Sequence, residues 1–193
     1  MIDLSILVLS IHTRYRTFGL AIQDQLWSQY ARLSEKDQAR VEILVLTDSK
    51  SLTIGAKRSI LANAARGRYV QFVDDDDRVD DHMIDYVLAA TAHNADVITF
   101  LVSVTLDGGP AKICRYSRSY RQDYNTETEY RRLPNHICTV RRELAVETGW
   151  EDITWGEDRD YSTRLLPKLG TEFALNRVLY HYDYSGETSE SRS

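Results

Sequence analysis

The stretch Tyr69-Val-Gln-Phe-Val-Asp-Asp-Asp-Asp-Arg78 runs five mostly apolar residues directly into four consecutive aspartates. Its first half has the length and composition of a buried strand. Its second half needs a solvated turn or a bound cation, because four neighbouring carboxylates repel one another. The flanking sequence gives the strand a context. Asp3 to Ser10 and Val41 to Leu46 are two further apolar runs of strand length. Between them Phe18, Ile22, Leu26, Tyr30 and Leu33 recur at three- and four-residue spacing, the apolar stripe of a helix. Ile54 to Arg66 supplies a second helical segment before Tyr69. Strands alternating with helices predict an α/β fold, a Rossmann-like mixed sheet with helices on both faces. Ligands of such sheets gather beyond the C-terminal strand ends, and the four aspartates sit at one of them.

The pattern continues with a helix carrying Ile84, Val87 and Leu88, a strand from Asp96 to Leu106, a turn at Asp107-Gly108-Gly109 and a returning strand from Ala111 to Tyr116. Ser117 to Pro134 is polar, rich in Tyr and Arg and without a period, so a loop is expected there. Ile137 to Val140 reads as a strand, Glu143 to Thr148 and Asp158 to Leu169 as helices, Val178 to Tyr182 as a last strand, and residues 185–193 as a frayed end. With 193 residues, no internal repeat and no linker, one domain is expected. Its nucleotide-binding half would span about residues 1–106 and its acceptor half about residues 107–184.

Composition narrows the class. Hydrophobic content of 42% with 27% charged residues is that of a soluble globular protein. No apolar run approaches the roughly 18 residues needed to span a bilayer. The N-terminus lacks a basic start and a cleavage site, so it reads as a strand and not a signal peptide. Cys114 and Cys138 have no metal-ligand spacing, and reduced thiols in a cytoplasmic setting are expected. The net charge of -5 is unevenly spread: Pro110 to Arg142 carries eight basic and three acidic residues, +5 against -10 for the rest. Such asymmetry points to an anionic partner or to a solvated face.

Carboxylates at a parallel strand end suit Mg²⁺ or Mn²⁺, which prefer oxygen ligands and keep phosphate and water in their shell. A charged turn is the competing reading, and the spacing of an EF-hand is absent. Asp74-x-Asp76 after its strand, Gly55-Ala-Lys-Arg58 upstream and Trp155-Gly-Glu-Asp158 downstream together resemble the family 2 glycosyltransferases of GT-A fold, over roughly residues 3 to 183. The sequence style also looks like that of phage-encoded relatives, which would place it in the host cytoplasm.

That resemblance implies a metal-dependent, inverting transfer of a hexosyl or pentosyl group from a nucleotide-diphosphate sugar, with UDP as the expected nucleotide. Asp74 and Asp76 would hold the divalent cation, with His181 as a further ligand; a lone His is otherwise structural. Ser10, Thr13, Arg14, Asp48, Lys57, Arg58 and Asp75 would contact the nucleotide. Thr47-Asp48 has one acidic residue where many relatives have two, which leaves base selectivity open. Asp158, with Glu157 beside it, matches the general base; an N-cap that complements the helix dipole is its competing role. Trp155 would line the acceptor pocket. Arg115, Arg118, Tyr120 and Arg121 interleave charge and aromatic rings in a way that can grip a phosphate backbone and stack on a base. The acceptor expected from them is a hydroxymethylated pyrimidine in DNA, with a cell-surface saccharide or lipid-linked precursor as the alternative. A nucleotidyltransferase is disfavoured by the absence of Gly from Ser10-Ile-His-Thr-Arg14. A non-catalytic nucleotide-sugar-binding module is the non-enzymatic alternative.

Overall fold

A computed structural model describes residues 1–184, so the frayed end expected for residues 185–193 lies outside the described residues. In chain order the elements are β1 (Leu4–Ile11), α1 (Leu20–Arg32), α2 (Glu35–Gln38), β2 (Val41–Asp48), α3 (Ile54–Ala64), β3 (Tyr69–Asp74), β4 (Arg78–Val79), α4 (Met83–Ala90) and β5 (Val97–Leu106). The second half adds β6 (Lys112–Tyr116), β7 (Tyr124–Asn125), β8 (Glu129–Arg132), β9 (Thr139–Arg141), α5 (Arg142–Thr148), α6 (Glu157–Leu165) and β10 (Glu172–Tyr184).

The three apolar runs of the first half become adjacent parallel strands, with β1 between β2 and β3. β1 is buried along its whole length, which is why it reads as an unbroken apolar run and not as an alternation. The step from β1 to β2 and the step from β2 to β3 run in opposite directions across the sheet. Right-handed crossovers then place α1 and α3 on opposite faces. α1 packs with α4, and α3 packs with α5 and α6, giving a helical layer on each side.

Beyond β3 the sheet turns mixed. Its order is β2-β1-β3-β9-β5-β6-β8-β7, with β9 antiparallel to both neighbours and β10 running parallel to β5. Two parts of the sequence reading are corrected here. The segment expected to be a loop, Ser117 to Pro134, contains β7 and β8. β8 has no apolar alternation because the carboxylate of Glu129 binds it: Arg115 Nε on β6 donates to Oε2 at 2.7 Å and Arg131 Nε donates to Oε1 at 2.8 Å. The last strand is also far longer than Val178 to Tyr182, since β10 gains backbone partners on both β5 and β4.

The core is continuous from the sheet into α6. Phe72 of β3 meets the Trp150 ring edge-on at 5.1 Å, and Trp150 stacks on Tyr161 of α6 at 4.1 Å. Both cysteines are free and buried. Burial pushes the Cys114 thiol up to about 11 and the Cys138 thiol higher still. Among the described residues no helix is long and apolar enough to cross a membrane.

Candidate functional site

The C-terminal ends of β1 and β3, the start of α3, the start of α6 and the end of β10 enclose a cavity of about 860 Å³. Asp74, Asp76, Asp77, Arg14 and Arg58 line it from the first half of the chain, and Trp155, Glu157 and Asp158 from the second. The acidic run and the Trp-Gly-Glu-Asp segment, 79 positions apart from Asp76 to Trp155 in the chain, therefore share one space.

Each aspartate of the run has its own partner. Asp74 receives Arg58 Nη2 at 3.1 Å and lies 3.5 Å from His136 Nε2. Burial would raise its carboxyl, but Arg58 and His136 hold it well below the usual carboxylate range. Asp75 turns into the protein, accepting from Ser10 Oγ at 2.7 Å and pairing with Arg14. Arg14 also reaches Asp76 at 3.0 Å. Burial pushes the Asp76 carboxyl up to about 6, and repulsion from Asp74 and Asp75 adds to that against the opposing pull of Arg14. Asp77 accepts from Tyr180 Oη at 2.7 Å, and burial raises it well above its ordinary value.

The donor set fits a cation that arrives with a diphosphate. Among the described residues no group of three or more His, Cys, Asp or Glu side chains is arranged to hold a metal by itself. Mg²⁺ and Mn²⁺ need only one or two protein carboxylates when phosphate oxygens and water complete the shell. Asp74 and Asp76 would be those two, in a place where burial and mutual repulsion already disfavour uncompensated negative charge at Asp76.

Gly156 sets the approach to α6. It lies in the left-handed region with φ at 81°, open to a side chain in space but not in backbone conformation. The turn it makes delivers Glu157 and Asp158 to the first turn of α6 at the cavity wall. Asp158 Oδ1 accepts from the backbone N–H of Arg159 at 2.7 Å. Glu157 is buried 3.7 Å from Arg58 Nε, and burial raises its carboxyl despite the opposing charges of Arg58 and His136.

The remaining expected residues are distributed less simply. Asp48 is buried and accepts from Leu52 N–H at 2.8 Å and from the buried Lys57 Nζ at 3.3 Å, so these two form one pair beside the cavity and not in its wall. Thr13 is exposed in the turn after β1. His181 is not brought to Asp74 and Asp76. Alternation along β10 turns it to the face opposite Tyr180 and Tyr182, and His136 occupies the place by Asp74 instead. Nothing in the sequence singled out His136, a lone His in a polar segment.

Arg132 of the basic segment lines the main cavity, but Arg115, Arg118, Tyr120 and Arg121, expected to meet the acceptor, lie outside it. Arg115 and Tyr120 line a separate cleft of about 190 Å³, Cys114 lines the main cavity, and Tyr116 touches both. Arg118 Nε donates to the Leu169 carbonyl at 2.8 Å, and Arg121 is exposed.

Sheet order, two helical layers and a site at the strand ends define a GT-A glycosyltransferase fold. The solved structures similar to it include S. aureus TarS 1-349 in complex with UDP-GlcNAc, with a TM-score of 0.67 at 15% identity over 95% of this chain and 59% of that one. The same TarS fragment in complex with UDP gives a TM-score of 0.67 at 15% identity, covering 96% and 62%. The longer S. aureus TarS structure gives 0.64 at 16% identity, covering 96% of this chain and 37% of that chain. The chain thus spans about three fifths of the TarS fragments it resembles. No family model and no curated protein matches the sequence.

Proposed function

We propose that the chain is an inverting glycosyltransferase that moves a hexosyl or pentosyl group from a nucleotide-diphosphate sugar, a UDP-sugar in the first instance, to an acceptor hydroxyl. The observation that carries this reading is one cavity walled by Asp74 and Asp76 at the end of β3 and by Asp158 at the start of α6. The likeness of the fold to TarS bound to UDP-GlcNAc supports the choice of nucleotide.

In this reading Asp74 and Asp76 would hold a divalent cation, which would supply positive charge against the departing diphosphate. Arg14, fixed by Asp75 and Asp76, sets the position of the second carboxylate. Asp158 takes the proton of the acceptor hydroxyl as its oxygen forms a bond to the anomeric carbon. The bond from that carbon to the diphosphate oxygen breaks on the opposite face, so the configuration inverts.

The acceptor we favour is a neutral saccharide. Seven carboxylates and four guanidinium groups line the cavity, together with Tyr116, Tyr130, Tyr182, Tyr184 and Trp155. Carboxylates accept from sugar hydroxyls and aromatic faces cover the C–H faces of a ring, whereas a polyanion would be repelled. The DNA acceptor expected from the basic segment gains no support from this lining, since Arg115 and Arg131 are spent on Glu129 and Arg141 on Asp96.

A thermal-shift series with nucleotide sugars, with and without Mn²⁺, tests the reading. A ligand that binds only the native state stabilises it by mass action, by about 2.7 kcal/mol at a hundredfold excess over Kd, and so raises Tm. A Mn²⁺-dependent rise with one UDP-sugar is expected. The absence of a shift with every donor at millimolar concentration refutes the proposal.

A further inference from the structure

α3 does more than fill one helical layer. Its N-cap Thr53 donates Oγ1–H to Asp152 Oδ1 at 2.6 Å, Gly55 N–H donates to the Ile153 carbonyl at 3.0 Å, and Ser59 Oγ donates to the Trp150 carbonyl at 3.4 Å. Three residues along the first half of α3, from its N-cap to Ser59, thus hold the segment that leads into α6. Arg58 completes the set from the same helix, with Nη2 on Asp74 at 3.1 Å and Nε 3.7 Å from Glu157 Oε1. Its side chain is 2% exposed, and its guanidinium lies 5.4 Å over the Phe72 ring.

A buried guanidinium that reaches two carboxylates on different elements acts as a spacer, because its planar fork fixes both directions at once. One of those carboxylates belongs to the strand end that would meet the donor. The other immediately precedes the residue that would meet the acceptor. We propose that Arg58 is a positioning residue, setting the separation between Asp74 and the Glu157–Asp158 turn, and that α3 is the bar on which the two halves of the site are gauged. The alternative for Arg58 is direct binding of the donor diphosphate. Its Nη2 donates to Asp74 and its Nε faces Glu157 at ion-pair distance, which favours the spacer role, while Nη1, buried without a hydrogen-bond partner among the described residues, is the group left for a phosphate.

The effect on turnover rests on the glycosyltransferase reading, but the geometric claim does not. Hydrogen exchange therefore leads the test, on Arg58→Lys, Arg58→Met and Glu157→Gln, with UDP affinity by calorimetry and donor turnover beside it. A lysine, as a single point charge, cannot span both carboxylates. Exchange at residues 150–158 should rise at least tenfold in all three variants while β1 and β3 stay protected. UDP affinity should stay within about threefold, and turnover should fall about a hundredfold, the scale for a 1 Å misplacement. The Arg58→Met, Glu157→Gln double variant should lose little beyond either single change. Unchanged exchange at residues 150–158 overturns the proposal, and so does rescue by lysine with UDP affinity as the only property lost in Arg58→Met. If Arg58→Met fails to fold, Glu157→Gln and Arg58→Lys still decide. If the wild type binds no nucleotide sugar, the reading of the activity falls while the exchange data still judge the spacer.

Discussion

Gly55→Ala is the smallest change that should strike the site from a distance. A Cβ built on Gly55 would stand 1.8 Å from the Glu151 carbonyl oxygen, 3.0 Å from its carbon and 3.2 Å from the Ile153 oxygen. All three atoms are backbone, so no side chain can swing aside. To restore an ordinary contact, α3 or the segment after Gly149 must retreat by more than about 1 Å. Overpacking of this kind costs about 1–3 kcal/mol, and loss of the Gly55 N–H to Ile153 hydrogen bond adds about 1 kcal/mol. For a chain of this size each kcal/mol lowers Tm by about 2–4 °C, so a fall of roughly 5–15 °C is expected. The retreating segment leads through Gly156 into Glu157 and Asp158, and a 1 Å error in a reacting group costs about a hundredfold in rate. Scanning calorimetry and a UDP-release assay on the same preparation measure both. A Tm within about 2 °C of wild type together with unaltered turnover would refute the argument, because the start of α3 and the segment leading into α6 would then not be in obligatory contact.

Asp158→Asn should lower turnover by about 10²–10⁴-fold, the usual worth of a general base, while UDP binding by calorimetry is retained; turnover within tenfold of wild type would assign Asp158 to helix capping. Glu42 offers a pH test away from the site: burial would raise its carboxyl, but bonds from Ser5 Oγ, the Arg66 N–H and the Arg66 side chain leave it lowered. A carboxyl lowered in the folded state stabilises above its unfolded value near 4.5 and loses that contribution as pH falls through the folded value. Glu42→Gln should therefore cost about 1–3 kcal/mol at pH 7 and flatten the acid limb of the stability curve in urea titrations below about pH 4.5. An unchanged acid limb would dismiss that carboxylate as a source of stability. Cys114 and Cys138, buried with raised thiols, should react with a thiol reagent at pH 8 only after unfolding, and rapid labelling of the native chain would contradict their placement.

The parts of the fold that could be read in the sequence are those whose signal is local. β1, β2 and β3 are covered on both faces, so each spells an apolar run of strand length, and the helices between them show their buried stripe. That β1 lies between β2 and β3 came only from the structure, because right-handed crossovers are equally satisfied by the order β1-β2-β3 with both helices on one face. β7 and β8 escaped because they are held by backbone pairing to β6 and to each other, with Glu129 paired to Arg115 and Arg131, and neither kind of contact leaves a period in the sequence.

The site divides in the same way. Sequence alone determined that carboxylates would stand at a strand end and at a helix start, since strand runs, acidic run and turn glycine are contiguous in the chain. Only the tertiary structure decided who stands beside them. His136 takes the place expected of His181, because strand alternation turns one away and a distant segment brings the other in. Arg58, expected to face the nucleotide, is buried between Asp74 and Glu157, partners 16 positions ahead in the chain and 99 positions ahead. A charge bridge between elements is set by how α3, β3 and α6 pack, and packing of that kind is written in no single stretch of residues.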